Sequence, residues 1–192
     1  MVVIIPVGGF GIVEWYENHV QRLPVLGAEN HRVENFSFTD QDGSHFDISN
    51  WKNKIVVADY FFTSCPSVCP KVAVQLKRVQ AFADKNVIIN SFTVDPERDT
   101  IGKLKMYTIK MDIGENWHLL TGDKKSLYRF ARKDLMLVAT DGDGGPADFI
   151  HSENLVLIDP DKQIRGYYKG TDASEVDRLI LDIKKLETEF KL

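Results

Sequence analysis

Between Lys54 and Phe62 the chain reads KIVVADYFF, a near-continuous apolar run. A strand with one wet face alternates apolar and polar side chains, so Ile55–Phe62 is expected to be a central strand buried on both faces. The segments beyond it set the layout. Val72, Leu76, Val79 and Phe82 recur at helical spacing toward Lys85-Asn86, and Val87–Val94 is a second strand ended by Asp95-Pro96. Thr100 can cap a helix carrying Leu104, Tyr107 and Met111. Trp117–Leu120 is a short strand before Gly122-Asp123, and Ser126 to about Leu135 is helical with Leu127, Phe130 and Ala131 on one side.

Hairpins flank this centre. In Val33–Ser49, Phe36 and Phe38 alternate, Asp42-Gly43 supplies the turn, and Phe46 and Ile48 alternate again. Leu155–Ile158 and Gln163–Tyr168 form a second hairpin around Asp159-Pro160-Asp161. The last helix begins near Ser174, whose hydroxyl can pair with Asp177 in a capping arrangement, and presents Val176, Leu179, Ile180, Ile183 and Leu186. Strand–helix–strand followed by helix, hairpin and helix predicts an α/β fold: a thioredoxin-like domain with an N-terminal β-hairpin and a second hairpin before the C-terminal helix.

A length of 192 residues suits one domain with a modest extension, able to bury a full core without cross-links. Residues 33–192 are read as that domain and 1–32 as an N-terminal segment and linker, because Gln21–Arg32 carries Pro24, Gly27 and Asn30. A net charge of −4, with no basic patch interleaved with aromatics, gives no support for nucleic-acid binding. Val2–Val13 is apolar but too short to span a bilayer, and it lacks the positive start of a signal peptide. It reads as the last half of a truncated membrane anchor or as a short buried or interfacial segment.

The two cysteines of the chain, Cys65 and Cys69, sit four residues apart at the junction between the central strand and the first helix. If the segment is helical, residues i and i+4 share a face with Cα atoms roughly 6 Å apart, within reach of a disulfide. The same spacing lets two thiolates grip a soft metal ion. A helix amino terminus favours thiolate over thiol; Pro66 fits the first helical turn, and Pro70 is tolerable within the first turn or so. The pair therefore reads as a redox couple, a metal clamp, or both. A purely structural disulfide is the plainer alternative, disfavoured because so small a loop gains least from closure.

An imidazole would turn the two thiolates into a three-coordinate metal site. His19 and His31 lie in the extension and linker and read as solvated surface. His45 falls beyond the first hairpin turn and reads as exposed, and His118 follows Trp117 in a strand as a satisfied, half-buried residue. His151 differs, because it comes after the loop Asp141–Ala147 and directly before the strand Leu155–Ile158. In a thioredoxin-like domain that junction lies at the same end of the sheet as the cysteines.

Four strings, YFFTSCPSVCP (60–70), TVDPERDT (93–100), WHLLTGD (117–123) and IHSENLVLIDP (150–160), occur in this order. With them the chain resembles the Sco/SenC family of copper-binding, thioredoxin-fold proteins that assist cytochrome c oxidase assembly. The resemblance runs from about Pro24 to the C-terminal helix. It implies Cys65, Cys69 and His151 as ligands of a Cu(I) or Cu(II) ion. It also implies delivery to the copper-site subunit of cytochrome c oxidase or another cuproenzyme, with other copper chaperones or thiol reductases as further partners. The place implied is the cell envelope, anchored in a membrane and facing the periplasm or an equivalent outer space. Many relatives carry an acidic residue just before the histidine, where this chain has Ile150; Asp148 could substitute. The alternative function is a thiol–disulfide oxidoreductase in which Cys65 and Cys69 are the catalytic, redox-active pair. A peroxidase has less behind it, one activated cysteine.

Three plainer features remain. Asp95, Glu97, Arg98 and Asp99 are expected to form a turn and helix-start network. Asp141–Gly145 lacks the twelfth-position glutamate of a calcium loop. Tyr60, Phe61 and Phe62 are expected in the core and the cleft wall.

Overall fold

The computed structural model describes residues 22–29, 31–137 and 152–192. It contains one seven-stranded mixed sheet. The strands are β1 (Ser37–Asp40), β2 (His45–Asp47), β3 (Ile55–Phe61), β4 (Val87–Thr93), β5 (Trp117–Thr121), β6 (Asn154–Ile158) and β7 (Ile164–Lys169). Their order across the sheet is β2-β1-β5-β4-β3-β6-β7. Strands β3, β4 and β5 run parallel, and β1 and β6 join them antiparallel on either side.

All seven residues of β3 are buried, as expected for a strand covered twice. Ile55, Val57 and Phe61 enter one apolar cluster while Val56, Ala58 and Tyr60 enter the other, which is the two-residue period of a strand. On the first face lie α1 (Val68–Phe82), α2 (Ile101–Met111) and α4 (Ala173–Phe190), with Leu76, Val79, Leu104, Leu179 and Ile183 wholly withdrawn from water. On the second lie α3 (Lys124–Arg129), continued by a wide π-turn Phe130–Asp134, and the 3-10 turn Ile48–Trp51. Phe36, Trp51, Phe92 and Phe130 pack there with ring centroids 4.9 to 6.4 Å apart. The arrangement is thioredoxin-like.

Local differences from the sequence expectations have simple causes. Ile48 belongs to the 3-10 turn rather than to β2, because Asp47 caps that turn through the Ser49 N–H. Gly43 sits at φ +79°, the left-handed conformation that the hairpin turn requires. Thr100 occupies the position before α2 but its side chain makes no cap bond. The third helix starts two residues early because Asp123 caps it, accepting from the Ser126 N–H at 2.8 Å. At α4 the cap is Asp172, which accepts from the Ser174 N–H and hydroxyl; Asp177 instead pairs with Arg78 on α1.

The linker residues before β1 are tied down. Leu26 bridges Ile164 at the edge of the sheet, and buried Arg165 donates to the carbonyls of Leu23 and Pro24. His31 is not solvated surface, since its Nε2 lies 2.8 Å from the Asp134 carbonyl. No helix of the described residues is long and apolar enough to cross a membrane. The segment Val2–Val13, together with His19, lies outside the described residues.

Candidate metal centre

Strand β3 ends at Phe61 and α1 begins at Val68, so Cys65 lies in the connecting bend and Cys69 is the second residue of the helix. The two are thus not one turn apart on a single helix, as the i, i+4 spacing suggested. Pro66 precedes the capping residue Ser67 instead of entering the helix. Pro70 is the third helical residue, where a missing N–H breaks no intrahelical bond. The bend is closed by the Cys65 N–H donating to the Phe62 carbonyl at 3.2 Å. This turn aims the Cys65 sulfur at the free N–H groups of α1, and the Cys69 N–H reaches it at 3.3 Å.

The two thiols are chemically unequal. Burial works against ionisation of Cys65, but hydrogen bonds from the Cys69 thiol and N–H, and from the N–H groups of Ser67 and Val68, outweigh it. Together they hold the thiol below its ordinary value. Burial, then the proton that Cys69 donates to Cys65, push the Cys69 thiol up to about 12. A thiolate-prone sulfur therefore stands beside one that keeps its proton at neutral pH.

Both cysteines line a cleft of about 490 Å³ that is also lined by Tyr60, Phe61, Phe62, Val94, Ser152 and Glu153. The three aromatics were expected in the cleft wall, and they form it. Tyr60 is fixed by its hydroxyl, which donates to the Leu127 carbonyl at 2.7 Å. Glu153 is held by the Thr171 hydroxyl at 2.6 Å and by Lys169.

Beneath Cys69 lies a carboxylate that side-chain pattern alone did not single out. Asp59, on the α1 side of β3, accepts from the Ser91 hydroxyl, which in turn accepts from the Trp117 indole N–H at 2.9 Å. A void of about 10 Å³ separates these groups from Cys69 and Tyr107. Complete burial raises the Asp59 carboxyl to about 7, against the single hydrogen bond that lowers it. A signal for it does exist in the sequence, because Asp59 is the one charge within an apolar run predicted to be buried on both faces.

The other candidates separate. His45 is exposed and pairs with Asp47 at 3.0 Å. His118 is half-buried as expected, yet its Nδ1 has no partner among the described residues, and its ring packs 4.8 Å from Phe46. Asp95 and Arg98 pair at 3.4 Å in the expected turn network, to which the Asp99 N–H also belongs by donating to the Asp95 carbonyl at 2.8 Å, while the Asp99 carboxylate reaches Thr63 of the cysteine bend. His151, Ile150, Asp148 and the loop Asp141–Ala147 lie outside the described residues. Among the described residues no group of three metal-ligating side chains converges.

A thioredoxin-like sheet that delivers a thiolate-prone cysteine and a proton-holding cysteine to one cleft defines a dithiol-site protein. The chain matches the SCO1/SenC family model over residues 26–187 and belongs to that family. It is 31% identical over 165 residues to the SCO1 protein homolog of Bacillus subtilis, covering 83% of this chain and 84% of that one. Among solved structures, a SCO1/SenC family lipoprotein from Bacillus anthracis superposes with TM-score 0.70 at 32% identity, over 82% of this chain and 95% of that one. BsSco, described through its disulfide switch and as a member of the Sco family of cytochrome c oxidase assembly proteins, gives 0.71 at 30% identity, over 88% and 98%. At 24% identity, ScoI of Bradyrhizobium japonicum with copper bound shares the fold, with TM-score 0.61 over 77% of this chain and 98% of that one.

Proposed function

We propose that this protein carries copper, holding one ion between Cys65, Cys69 and His151 and passing it to a cuproenzyme, the copper site of cytochrome c oxidase being the favoured recipient. The observation that carries the reading is the cleft: Ser152 and Glu153, which directly follow His151 in the chain, line it together with both cysteines. Two thiolates suit soft Cu(I), and an added imidazole keeps the set compatible with Cu(II). Copper is the cargo here. This chain's residues supply one thiol held below its ordinary value, one that keeps its proton more tightly, and an aromatic wall that limits water. Family membership and the relatives described with copper or with oxidase assembly support the same reading. A relative described as a lipoprotein fits a place in the cell envelope for this protein, with Val2–Val13 as the last half of a membrane anchor and Gln21–Arg32 as the linker.

Copper titration of the reduced protein tests it. The parent is expected to take up one equivalent with sulfur-to-copper charge-transfer absorption. Cys65→Ser, Cys69→Ser and His151→Ala should each lose affinity by at least tenfold, and a His151→Ala protein that binds as tightly as the parent would refute the three-ligand set. Because Cys69 is protonated at neutral pH, uptake must release at least one proton. Apparent affinity should therefore rise at least about tenfold per pH unit between pH 6 and 8.

The inequality of the thiols favours a second reading, thiol–disulfide exchange. The Cys65 thiolate would attack a partner's disulfide, releasing one partner thiolate and forming a mixed disulfide. Cys69, giving up its proton, would then displace the second partner sulfur and leave Cys65–Cys69 oxidised. In Cys69→Ser the mixed disulfide should accumulate and be resolved on a non-reducing gel. If copper binds stoichiometrically while no mixed disulfide forms with any disulfide-bearing cuproenzyme domain supplied, carriage alone stands.

A further inference from the structure

Asp99 is 1% exposed, and the donors that meet its carboxylate are neutral. The Thr63 N–H lies 3.1 and 3.3 Å from its two oxygens, the Thr63 hydroxyl at 2.5 Å and the Thr93 hydroxyl at 2.6 Å. Burying a carboxylate without a cation is unfavourable unless hydrogen bonds replace the lost water. The residue precedes Thr100, the cap position of α2, which suggests a helix-capping role. Its oxygens, however, accept from two other elements.

The two sides of this clamp differ in kind. Thr93 is the last residue of β4, opposite Phe61 of β3, and its hydroxyl also accepts from the Asp95 N–H at 2.9 Å. That side is anchored in the sheet. Thr63 lies in the bend closed by Cys65 N–H donating to Phe62, two residues before the first cysteine. That side carries the dithiol.

We propose that Asp99 is a positioning residue for the dithiol: by gripping Thr63 through both its N–H and its hydroxyl, it fixes the bend that holds the Cys65 sulfur against the Cys69 N–H. The inference rests on Cys65 and Cys69 being the working pair of the proposed function. The reduced pair depends on the bend for its geometry, whereas a disulfide holds its own two ends together. Releasing the clamp therefore weakens the reduced state more than the oxidised one. It also weakens copper binding, which needs both sulfurs reduced and facing one point.

The test is the exchange equilibrium with glutathione, in which protein dithiol plus oxidised glutathione gives protein disulfide plus two reduced glutathione molecules. It is run on the parent, Asp99→Ala, Thr63→Val and Thr63→Ser, each checked for folding by circular dichroism and titrated with copper. Asp99→Ala should shift the equilibrium toward the disulfide by about tenfold or more. Thr63→Val, which keeps the N–H but not the hydroxyl, should move it the same way by a few-fold, and Thr63→Ser should stay within twofold of the parent. The copper–sulfur absorption should weaken in the same order. If Asp99→Ala does not fold, Thr63→Val against Thr63→Ser decides. A folded Thr63→Val with the parent's equilibrium and absorption overturns the clamp alone, while a parent that neither exchanges with glutathione nor binds copper overturns the dithiol reading as well.

Discussion

Replacing Arg165 by alanine should lower the stability of the domain by about 3–5 kcal/mol, the range for removing one partner of a buried ion pair. Arg165 and Asp159 are 3% and 0% exposed in their side chains and meet at 2.9 Å. The second guanidinium nitrogen reaches Glu189 near the end of α4 at 2.9 Å and the Leu23 carbonyl at 2.6 Å. Alanine would leave the Asp159 charge buried with the Gln163 N–H, at 2.9 Å, in place of a cation. It would also release the linker from the sheet edge. Urea unfolding should show a lower midpoint with little change in slope, and proteolysis should quicken between residues 22 and 33. Arg165→Met combined with Asp159→Asn removes both charges and should recover most of the loss. A single variant as stable as the parent would show that the pair contributes nothing net.

The second large effect depends on pH. In the unfolded chain Asp59 loses its proton near the ordinary value of 3.8, whereas in the folded protein burial holds the proton until about pH 7. Between those values the folded state binds more protons than the unfolded state, so stability contributed by the neutral acid is fully present below about pH 4 and is lost as pH rises through 7. A gap of that width between the folded and unfolded carboxyl corresponds to at most about 4 kcal/mol. Asp59→Asn keeps an oxygen for the Ser91 hydroxyl and cannot ionise. It should therefore match the parent near pH 4 and exceed it in stability by up to about 4 kcal/mol at pH 8. Denaturant midpoints of both reduced proteins across that range measure the difference. A stability difference that does not change with pH would mean that Asp59 is not protonated at neutrality in the folded state.

The elements of the fold were legible from side-chain period alone. The unbroken burial of β3, the helical spacing from Val72 to Val79, and the two hairpins with their Asp-Gly and Asp-Pro-Asp turns stand where the pattern put them, the first hairpin being shorter by Phe36 and Ile48. Helix starts were less legible. The caps at Asp123 and Asp172 compete locally with other polar neighbours, and only the backbone path shows which side chain reaches a free N–H. Of the site, the cysteines and the aromatic wall could be named in advance because their residue types and spacing carry chemistry by themselves. Asp99 could not, since its role depends on Thr63, 36 residues away in sequence.

What the sequence determined by itself is therefore local and periodic: a strand wet on neither face, helices with one apolar stripe, and a pair of sulfurs at a strand–helix junction. Tertiary structure decided which of those sulfurs gives up its proton more readily, because that depends on the burial of Cys69 and its hydrogen bond to Cys65, and on N–H groups at the start of α1 pointing at Cys65. Both are consequences of how the first helix is docked on the sheet. Charge stabilisation falls off within a few ångströms in a position-dependent dielectric, so spacing along the chain carries no record of it.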